Sequence, residues 1–269
     1  MPLIALASVK SSPGVTTTAL ALASMWKTAP RRLLVEADPS GGDLGLWLGL
    51  PAGAGLAGLA AAARHGHEEG LAWRHARELA DGTHLVTAPA GADQAAACVA
   101  ALAAAKLPQE LAAADEPVLA DCGCLYPGSP ALAVAAAAAL TVLVVRPRVS
   151  ELAHLEPRIR GLEQAGLRLV VVLAADGRRP PSEPSYPAEE ISGVLGIPVQ
   201  GPLPTDTRAV EHLCRRAGDP GPARRLPLLR EAAAAARALE AALGHPAAPD
   251  LPAGPQDLDE REAVVGDRG

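Results

Sequence analysis

Residues 9–18 read Val9-Lys10-Ser11-Ser12-Pro13-Gly14-Val15-Thr16-Thr17-Thr18. An apolar run, Leu3 to Val9, leads into this segment, and an alanine- and leucine-rich run typical of a helix follows it. The order strand, tight loop, helix gathers backbone N–H groups at a helix N-terminus, where the helix dipole favours an anion. The segment therefore predicts a phosphate-binding loop.

The loop has only the later half of the usual phosphate-binding motif, G-x-x-x-x-G-K-[ST]. Gly14 supplies the sharp turn, and the Thr16 hydroxyl can bind Mg²⁺. Val15 occupies the position at which the motif has its phosphate-binding lysine. Taken alone, the loop is equally compatible with an ordinary strand-to-helix turn.

Lys10, four residues before Gly14, favours the phosphate loop. The segment resembles the deviant Walker A loop, K-G-G-x-G-K-T-T, of the ParA/MinD family of dimeric P-loop ATPases of the SIMIBI class. In the order of that motif, the chain supplies Lys10, Ser11, Ser12, Pro13, Gly14, Val15, Thr16 and Thr17. The resemblance implies that these residues bind nucleotide and that Lys10 reaches phosphate across a dimer interface. It also implies that Val15 replaces the lysine that contacts the β- and γ-phosphates within its own subunit.

A second segment, Asp38-Pro39-Ser40-Gly41-Gly42-Asp43-Leu44, follows a predicted buried strand that begins at Arg32. It resembles the family's D-x-D-P-x-G-x-N-L, with Glu36 in place of the first acid. The resemblance implies that Asp38 is the catalytic residue, linked to water activation and to Mg²⁺.

A third segment, Pro117 to Gly123, is an apolar run that ends in Asp121 and a glycine. It resembles the family's Walker B strand. The resemblance implies that Asp121 contacts Mg²⁺ through water and that Gly123 lies near the γ-phosphate.

Two later segments bear on recognition of the base. In the family, the strand that corresponds to Leu167 to Leu173 commonly ends in an asparagine that contacts adenine, but here Ala174-Ala175-Asp176-Gly177 follows. Base recognition is therefore either lost or transferred to Asp176. Residues 201–210 resemble the family's I-P-x-D-x-x-A-V segment, which implies that Pro204 contacts the nucleotide.

The apolar runs alternate with helical patterns along the chain. This alternation predicts an α/β fold in which a mostly parallel, twisted sheet is covered by helices on both faces. Ligands then bind at the carboxyl ends of the strands, where Lys10, Asp38 and Asp121 all fall. The long apolar runs cover residues 3–9, 33–37, 84–88, 117–120, 140–145 and 167–173, and a short last strand is expected to begin at Ile197-Pro198-Val199.

The composition of the chain predicts its domain organisation and its cellular compartment. The chain has 269 residues, 49% of them hydrophobic and none of them phenylalanine, which predicts a core of Leu, Val, Ile and Ala. We expect one ParA/MinD-like domain over residues 1–244 and a disordered acidic tail, rich in Pro and Gly, over residues 245–269. Four scattered cysteines and the lack of a signal-peptide pattern indicate a cytoplasmic protein.

The lost loop lysine leads to our first functional hypothesis. The chain is a degenerate ParA/MinD-like nucleotide switch or pseudo-ATPase scaffold, similar to the TadZ/CpaE group, with weak or no ATP hydrolysis. It forms a homodimer and recruits or positions a protein partner in pilus, secretion, division or partition machinery. Its cofactors are ATP or ADP and Mg²⁺, if the altered loop still binds them.

Two alternatives remain open from the sequence. The first is an active Mg-ATP-hydrolysing positioning ATPase of the same family. The second is a DNA-binding partition protein, although a net charge of −6 argues against non-specific nucleic-acid binding. Direct membrane insertion is not expected, because residues 254–269 are acidic and lack an apolar face. The arginines that could contact DNA are Arg208, Arg215, Arg216, Arg224, Arg225, Arg230 and Arg237.

Overall fold

A computed structural model describes residues 3–10, 13–51, 53, 55–66, 68–175, 177, 186–215 and 223–244. The predicted tail over residues 245–269 lies outside the described residues. So do Ser11, Ser12 and Asp176 of the predicted site.

Eight strands of the described chain form a single sheet in the order β3-β4-β2-β5-β1-β6-β7-β8. They are β1 (Leu3–Ser8), β2 (Arg32–Glu36), β3 (Arg77–Glu78), β4 (Thr83–Val86), β5 (Val118–Cys124), β6 (Leu140–Val145), β7 (Leu169–Ala174) and β8 (Val199–Leu203). Every neighbouring pair is parallel except β3 and β4. The mostly parallel α/β fold predicted from the sequence is therefore confirmed.

Helices connect these strands and cover both faces of the sheet. They are α1 (Val15–Met25), α2 (Leu44–Trp47), α3 (Gly55–Ala63), α4 (Leu71–Arg74), α5 (Ala92–Ala104), α6 (Leu107–Ala112), α7 (Leu132–Ala137), α8 (Val149–Gln164), α9 (Ala188–Leu195), α10 (Thr207–Cys214) and α11 (Pro227–Gly244). In the described part of the chain, none of them is both long enough and apolar enough to span a bilayer.

Alternation of side chains along the strands builds two apolar layers. On β1, Leu3 and Ala5 face one layer, whereas Ile4 and Leu6 face the other, because successive strand residues point to opposite faces. The second layer is closed by α1 and by α11, which pack against each other. Since both layers are built from fully buried aliphatic side chains, the core holds the strand ends in fixed positions.

The central strand β1 lies between β5 and β6. From β1 the chain crosses to β2 on one side of the sheet and later returns to β6 on the other, so its carboxyl end is a switch point of the topology. Crevices that bind ligands form at such points in open α/β sheets. The segment at residues 9–18 follows directly from this strand.

Candidate functional site

The loop after β1 has the backbone that a phosphate loop needs. Gly14 precedes α1 with φ of 104°, a conformation that side chains rarely adopt, and the Thr18 N–H donates to its carbonyl at 2.9 Å. A Cβ on Gly14 would meet nothing within 4 Å, so the conformation rather than crowding requires glycine. Strand, turn and helix therefore follow one another as predicted.

Val15 leaves the loop without its usual cation. The Val15 side chain is 6% exposed and packs in the apolar layer that contains Ile4 and Leu6. An isopropyl group in this position can neither donate a hydrogen bond nor neutralise a phosphate. The position of the missing lysine is thus occupied by part of the core.

Asp121 and Thr16 form the buried polar contact beneath the loop. The Thr16 hydroxyl donates to the Asp121 carboxyl group, and the Gly123 N–H donates to Asp121 Oδ1 at 3.1 Å. Burial raises the pKa of Asp121 to about 7, repulsion from Asp38 and Glu36 adds to the rise, and the two hydrogen bonds oppose it. Asp121 therefore exchanges its proton near neutral pH.

Asp38 lies beside this pair, at the carboxyl end of β2. Its Oδ1 accepts a hydrogen bond from the Ser40 N–H at 2.7 Å. Its carboxyl group also rests against Gly123, at which any Cβ would collide with it. Two carboxylates and a hydroxyl suit a cation that takes most of its remaining ligands from phosphate and water, as Mg²⁺ does. The predicted metal residues Thr16, Asp38 and Asp121 are therefore grouped in the fold.

Glu36, at the position of the first acid in the family's D-x-D-P-x-G-x-N-L motif, holds two loops together. It is 1% exposed, and its carboxylate accepts N–H bonds from Asp43 at 2.9 Å, Leu44 at 2.8 Å and Ala88 at 3.0 Å. Burial raises the pKa of Glu36 even though these three bonds favour its charged form. The residue thus fixes the segment after Asp38 against the end of β4.

Lys10 lies on the surface and contacts its own subunit. Its ammonium group is in hydrogen-bond contact with Nε2 of His154, on the exposed side of α8. The arrangement ties the end of β1 to the helix that follows β6. The role of Lys10 across a dimer interface stays a prediction.

A cavity of about 830 Å³ opens beside the loop, at the carboxyl ends of β1, β6, β7 and β8. The predicted nucleotide residues Pro13, Gly14, Thr17 and Pro204 line it together, whereas Thr16, Asp38 and Asp121 do not. The other described lining residues are Thr18, Arg146, Arg148, Ala174, Ala175, Gly177, Leu203, Thr205, Asp206, Thr207, Val210 and Leu228.

Arg146 and Arg148 in this cavity were not predicted as site residues. Arg146 Nη1 contacts Glu151 Oε1 at 3.2 Å, and the backbone N–H of Arg146 donates to the same carboxylate at 2.9 Å. Arg148 precedes α8 and is partly buried. Two arginines directly after an apolar strand are the signal that could have identified them, because ligands bind at strand carboxyl ends.

The arginines considered for DNA binding lie along the last helices. Arg208, Arg215, Arg225, Arg230 and Arg237 are all exposed. Arg215 pairs with Glu211 and Arg230 with Glu231, each at 2.9 Å. Arg216 lies outside the described residues, as does the side chain of Arg224. The i,i+4 pair of Arg215 with Glu211 is typical of a solvated helix face.

Comparison with solved structures identifies the fold. MinD from Pyrococcus horikoshii OT3, complexed with Mg-ADP, superposes with a TM-score of 0.71 at 18% identity, over 90% of this chain and 97% of that one. A ParA family ATPase from Chlorobium tepidum TLS gives a TM-score of 0.68 at 19% identity, over 88% of this chain and 98% of that one. MinD in the Aquifex aeolicus MinC:MinD complex gives a TM-score of 0.67 at 17% identity, over 90% of this chain and 96% of that one. The chain has the ParA/MinD fold. No protein-family model and no curated protein sequence matches it.

Within this ParA/MinD fold, the site fits a nucleotide in shape but not in charge at the loop. The turn at Gly14, the metal-type oxygens and a cavity of suitable volume are all present. The cation expected at Val15 is absent, because this position carries a buried isopropyl group.

Proposed function

We propose that this chain is a degenerate nucleotide switch of the ParA/MinD type, a pseudo-ATPase scaffold that dimerises and recruits or positions a protein partner. The burial of Val15 in the core, at the position of the loop lysine, carries the proposal. We infer from the altered loop that the chain is related to the TadZ/CpaE group.

Slow or absent hydrolysis follows from the physics of phosphoryl transfer. Catalysis of this reaction rests on positioning and on electrostatic stabilisation of the phosphate oxygens. Val15 provides no charge for this purpose, and its burial shows that the side chain contributes to packing instead. The turn at Gly14 and the cavity beside it still support binding.

In the bound state, Gly14, Thr17 and Pro204 would hold the nucleotide, and Thr16, Asp38 and Asp121 would hold Mg²⁺ directly or through water. The metal would supply positive charge to the phosphates. Asp38 would orient the attacking water, since its carboxylate is fixed by the Ser40 N–H and by contact with Gly123.

The retained Asp38 and Asp121 favour one competing function, an active Mg-ATPase. Separate measurements of binding and of turnover distinguish the two. We expect ATP and ADP to bind in a calorimetric titration, and phosphate release to match that of Asp38→Ala. Steady phosphate release that Asp38→Ala abolishes would establish the active ATPase instead.

A protein partner and a homodimer complete the proposal. A solved structure with the same fold holds MinD together with MinC. We place the present chain in the cytoplasm, in complex with a partner from division, partition, pilus or secretion machinery. Co-purification followed by mass spectrometry would name that partner.

A further inference from the structure

The outer face of α11 carries positive charge, and an acidic segment follows this helix in the sequence. We propose that this acidic segment, residues 257–262, folds back onto the outer face of α11. The chain then covers that face with its own carboxylates and withholds it from other polyanions. The inference does not depend on the nucleotide-binding function proposed above.

The exposed residues of α11 form a single stripe along the helix. They recur at spacings of three or four residues, which places them on one side, while the other side is buried in the second apolar layer. The members of this arginine stripe are Pro227, Arg230, Ala234, Arg237, Ala241 and Gly244. The stripe contains two guanidinium groups and no carboxylate, so α11 presents positive charge to solvent.

The ion pairs of these two arginines leave room for further carboxylates. Arg230 contacts its sequence neighbour Glu231 at 2.9 Å, with 68% and 36% of the two side chains exposed. Among the described residues, no carboxylate lies within ion-pair distance of Arg237. An exposed pair such as that of Arg230 is weak. An additional anion can therefore bind along the stripe without breaking a buried interaction.

The sequence after α11 supplies the opposite charge. Residues 245–269, the tail, contain six acidic residues and two arginines. The acidic segment holds four of these acids, namely Asp257, Asp259, Glu260 and Glu262. Acidic tails of this kind commonly bind other surfaces through their charge. The acidic segment therefore complements the arginine stripe.

The tail begins at the end of the same stripe. Gly244 is the last residue of α11, and at a rise of about 1.5 Å per residue Arg237 and Arg230 lie about 10 Å and about 21 Å back along the helix axis. Residues 245–256 separate Gly244 from the acidic segment. A linker of this length spans about 19 Å as a flexible coil and about 37 Å as an extended polyproline-type chain. The acidic segment can therefore reach both arginines.

Attachment to the same chain favours this segment over a polyanion from solution. A short linker gives it an effective concentration on the order of millimolar, so exposed ion pairs that are weak singly act together. The net charge of −6 also repels nucleic acid from the molecule as a whole. Since charge pairing requires no defined structure of the tail, the occupant we assign to the stripe is the acidic segment of the same chain.

Carbodiimide cross-linking of the full chain tests the contact, because this reagent joins carboxylates directly to amines that touch them. Arg237→Lys keeps the charge of the stripe and gives it a reactive amine. We expect mass spectrometry to find a cross-link between position 237 and the acidic segment, in a product with the mass of one chain. About 0.5 M NaCl should abolish this cross-link, since salt screens exposed charges.

Arg160→Lys is the matched control, because Arg160 lies on α8, is 69% exposed and pairs with Glu156. Its new amine should cross-link to Glu156 and not to the acidic segment. A control product at position 160 with no product at position 237 would overturn the inference. A cross-link to position 237 found only at twice the chain mass would assign the contact to a second copy and overturn the fold-back as well.

DNA binding tests whether the acidic segment shields the stripe. Fluorescence anisotropy with a labelled DNA duplex compares the wild type with a full chain that carries Asp257→Asn, Asp259→Asn, Glu260→Gln and Glu262→Gln. We expect this variant to bind DNA about tenfold more tightly at low salt, because the arginines are then uncovered. Unchanged affinity would overturn the proposed shielding.

A second variant controls for net charge. It neutralises four exposed acids elsewhere, with Glu69→Gln, Glu163→Gln, Glu189→Gln and Glu190→Gln. Its affinity for DNA should rise no more than about twofold, since the stripe stays covered. Equal gains in the two variants would show that net charge alone sets DNA affinity and would overturn the inference, while the proposed nucleotide switch would stand.

Discussion

The carboxyl group of Asp38 lies directly against the Cα of Gly123, with no space for a side chain between them. Gly123 has φ of 58°, and its N–H donates to Asp121. The contact therefore joins the segment that follows β2 to the carboxyl end of β5, its neighbour in the sheet. It also keeps Asp38 and Asp121 on the same side of the phosphate loop.

Gly123→Ala tests this contact. A methyl group at this position must displace Asp38, so we expect a loss of stability of about 1–3 kcal/mol beyond the backbone strain. Gly128→Ala is the control, because Gly128 also has positive φ, at 84°, but a Cβ there meets nothing within 4 Å. The strain alone should cost about 1–2 kcal/mol in each variant. Urea denaturation measures the stability of both variants. Equal losses of stability would show that Asp38 moves away from the new methyl group at no cost.

Val15→Lys tests the meaning of the altered loop. In the absence of ligand, placing an ammonium group in the apolar layer should lower the free energy of unfolding by roughly 1–3 kcal/mol. The same group should strengthen ATP binding by reaching the phosphates. Val149→Lys, at a position that is 49% exposed, is the stability control. Calorimetry and thermal denaturation measure the two effects. Unchanged ATP affinity would show that the residues before Gly14 have altered the loop as well.

The raised pKa of Asp121 predicts how the free energy of unfolding depends on pH. Its pKa is about 7 in the fold against an ordinary value of 3.8, so the folded protein binds a proton that the unfolded chain releases. Its contribution to stability is therefore greatest below about pH 4 and is lost as the pH rises to about 7. Raising the pH from 5 to 8 should cost the wild type up to about 3 kcal/mol more than Asp121→Asn.

Urea denaturation at the two pH values provides this measurement. Glu36, whose pKa is also raised, adds a loss of the same sign in both proteins. Glu69→Gln, at an exposed position, should behave like the wild type. A wild type and an Asp121→Asn variant with the same pH dependence would contradict the proposed protonation.

The positions of Lys10 and Asp38 lead to a prediction about how the proposed homodimer dissociates. We expect a symmetric interface across the face that carries both residues, so each substitution acts twice. Lys10→Ala and Asp38→Lys should shift sedimentation toward the monomer, whereas Arg160→Ala, on α8, should not. Analytical ultracentrifugation at several concentrations, with and without Mg²⁺-ATP, measures the shift. A wild type that stays monomeric throughout would contradict the dimer.

Local patterns predicted most of the fold. The strand over residues 140–145 was predicted with its observed bounds, because a long apolar run reveals its own structure. β3 was missed, since its two exposed residues, Arg77 and Glu78, carry no apolar signal. The short helices α6, α7 and α10 were missed as well.

The site was harder to predict than the fold. Motif spacing predicted that Thr16, Asp38 and Asp121 lie close together, because each lies near the carboxyl end of a strand in a parallel sheet. Their role as metal ligands stays a prediction. Arg146 and Arg148 were missed, since their approach to Gly14 depends on β6 lying next to β1, a pairing between distant parts of the chain. The contact between Lys10 and His154 has the same long-range origin. The disordered tail stays a prediction.

Asp206 gives the cavity a particular mechanical character. Its carboxylate accepts N–H bonds from the first turns of both α10 and α11, and α11 packs on α1, which begins at the cavity. The three helices therefore contact one another beside the cavity. Because one carboxylate holds the first turns of both α10 and α11, a ligand that displaces α10 at the cavity also pulls on α11.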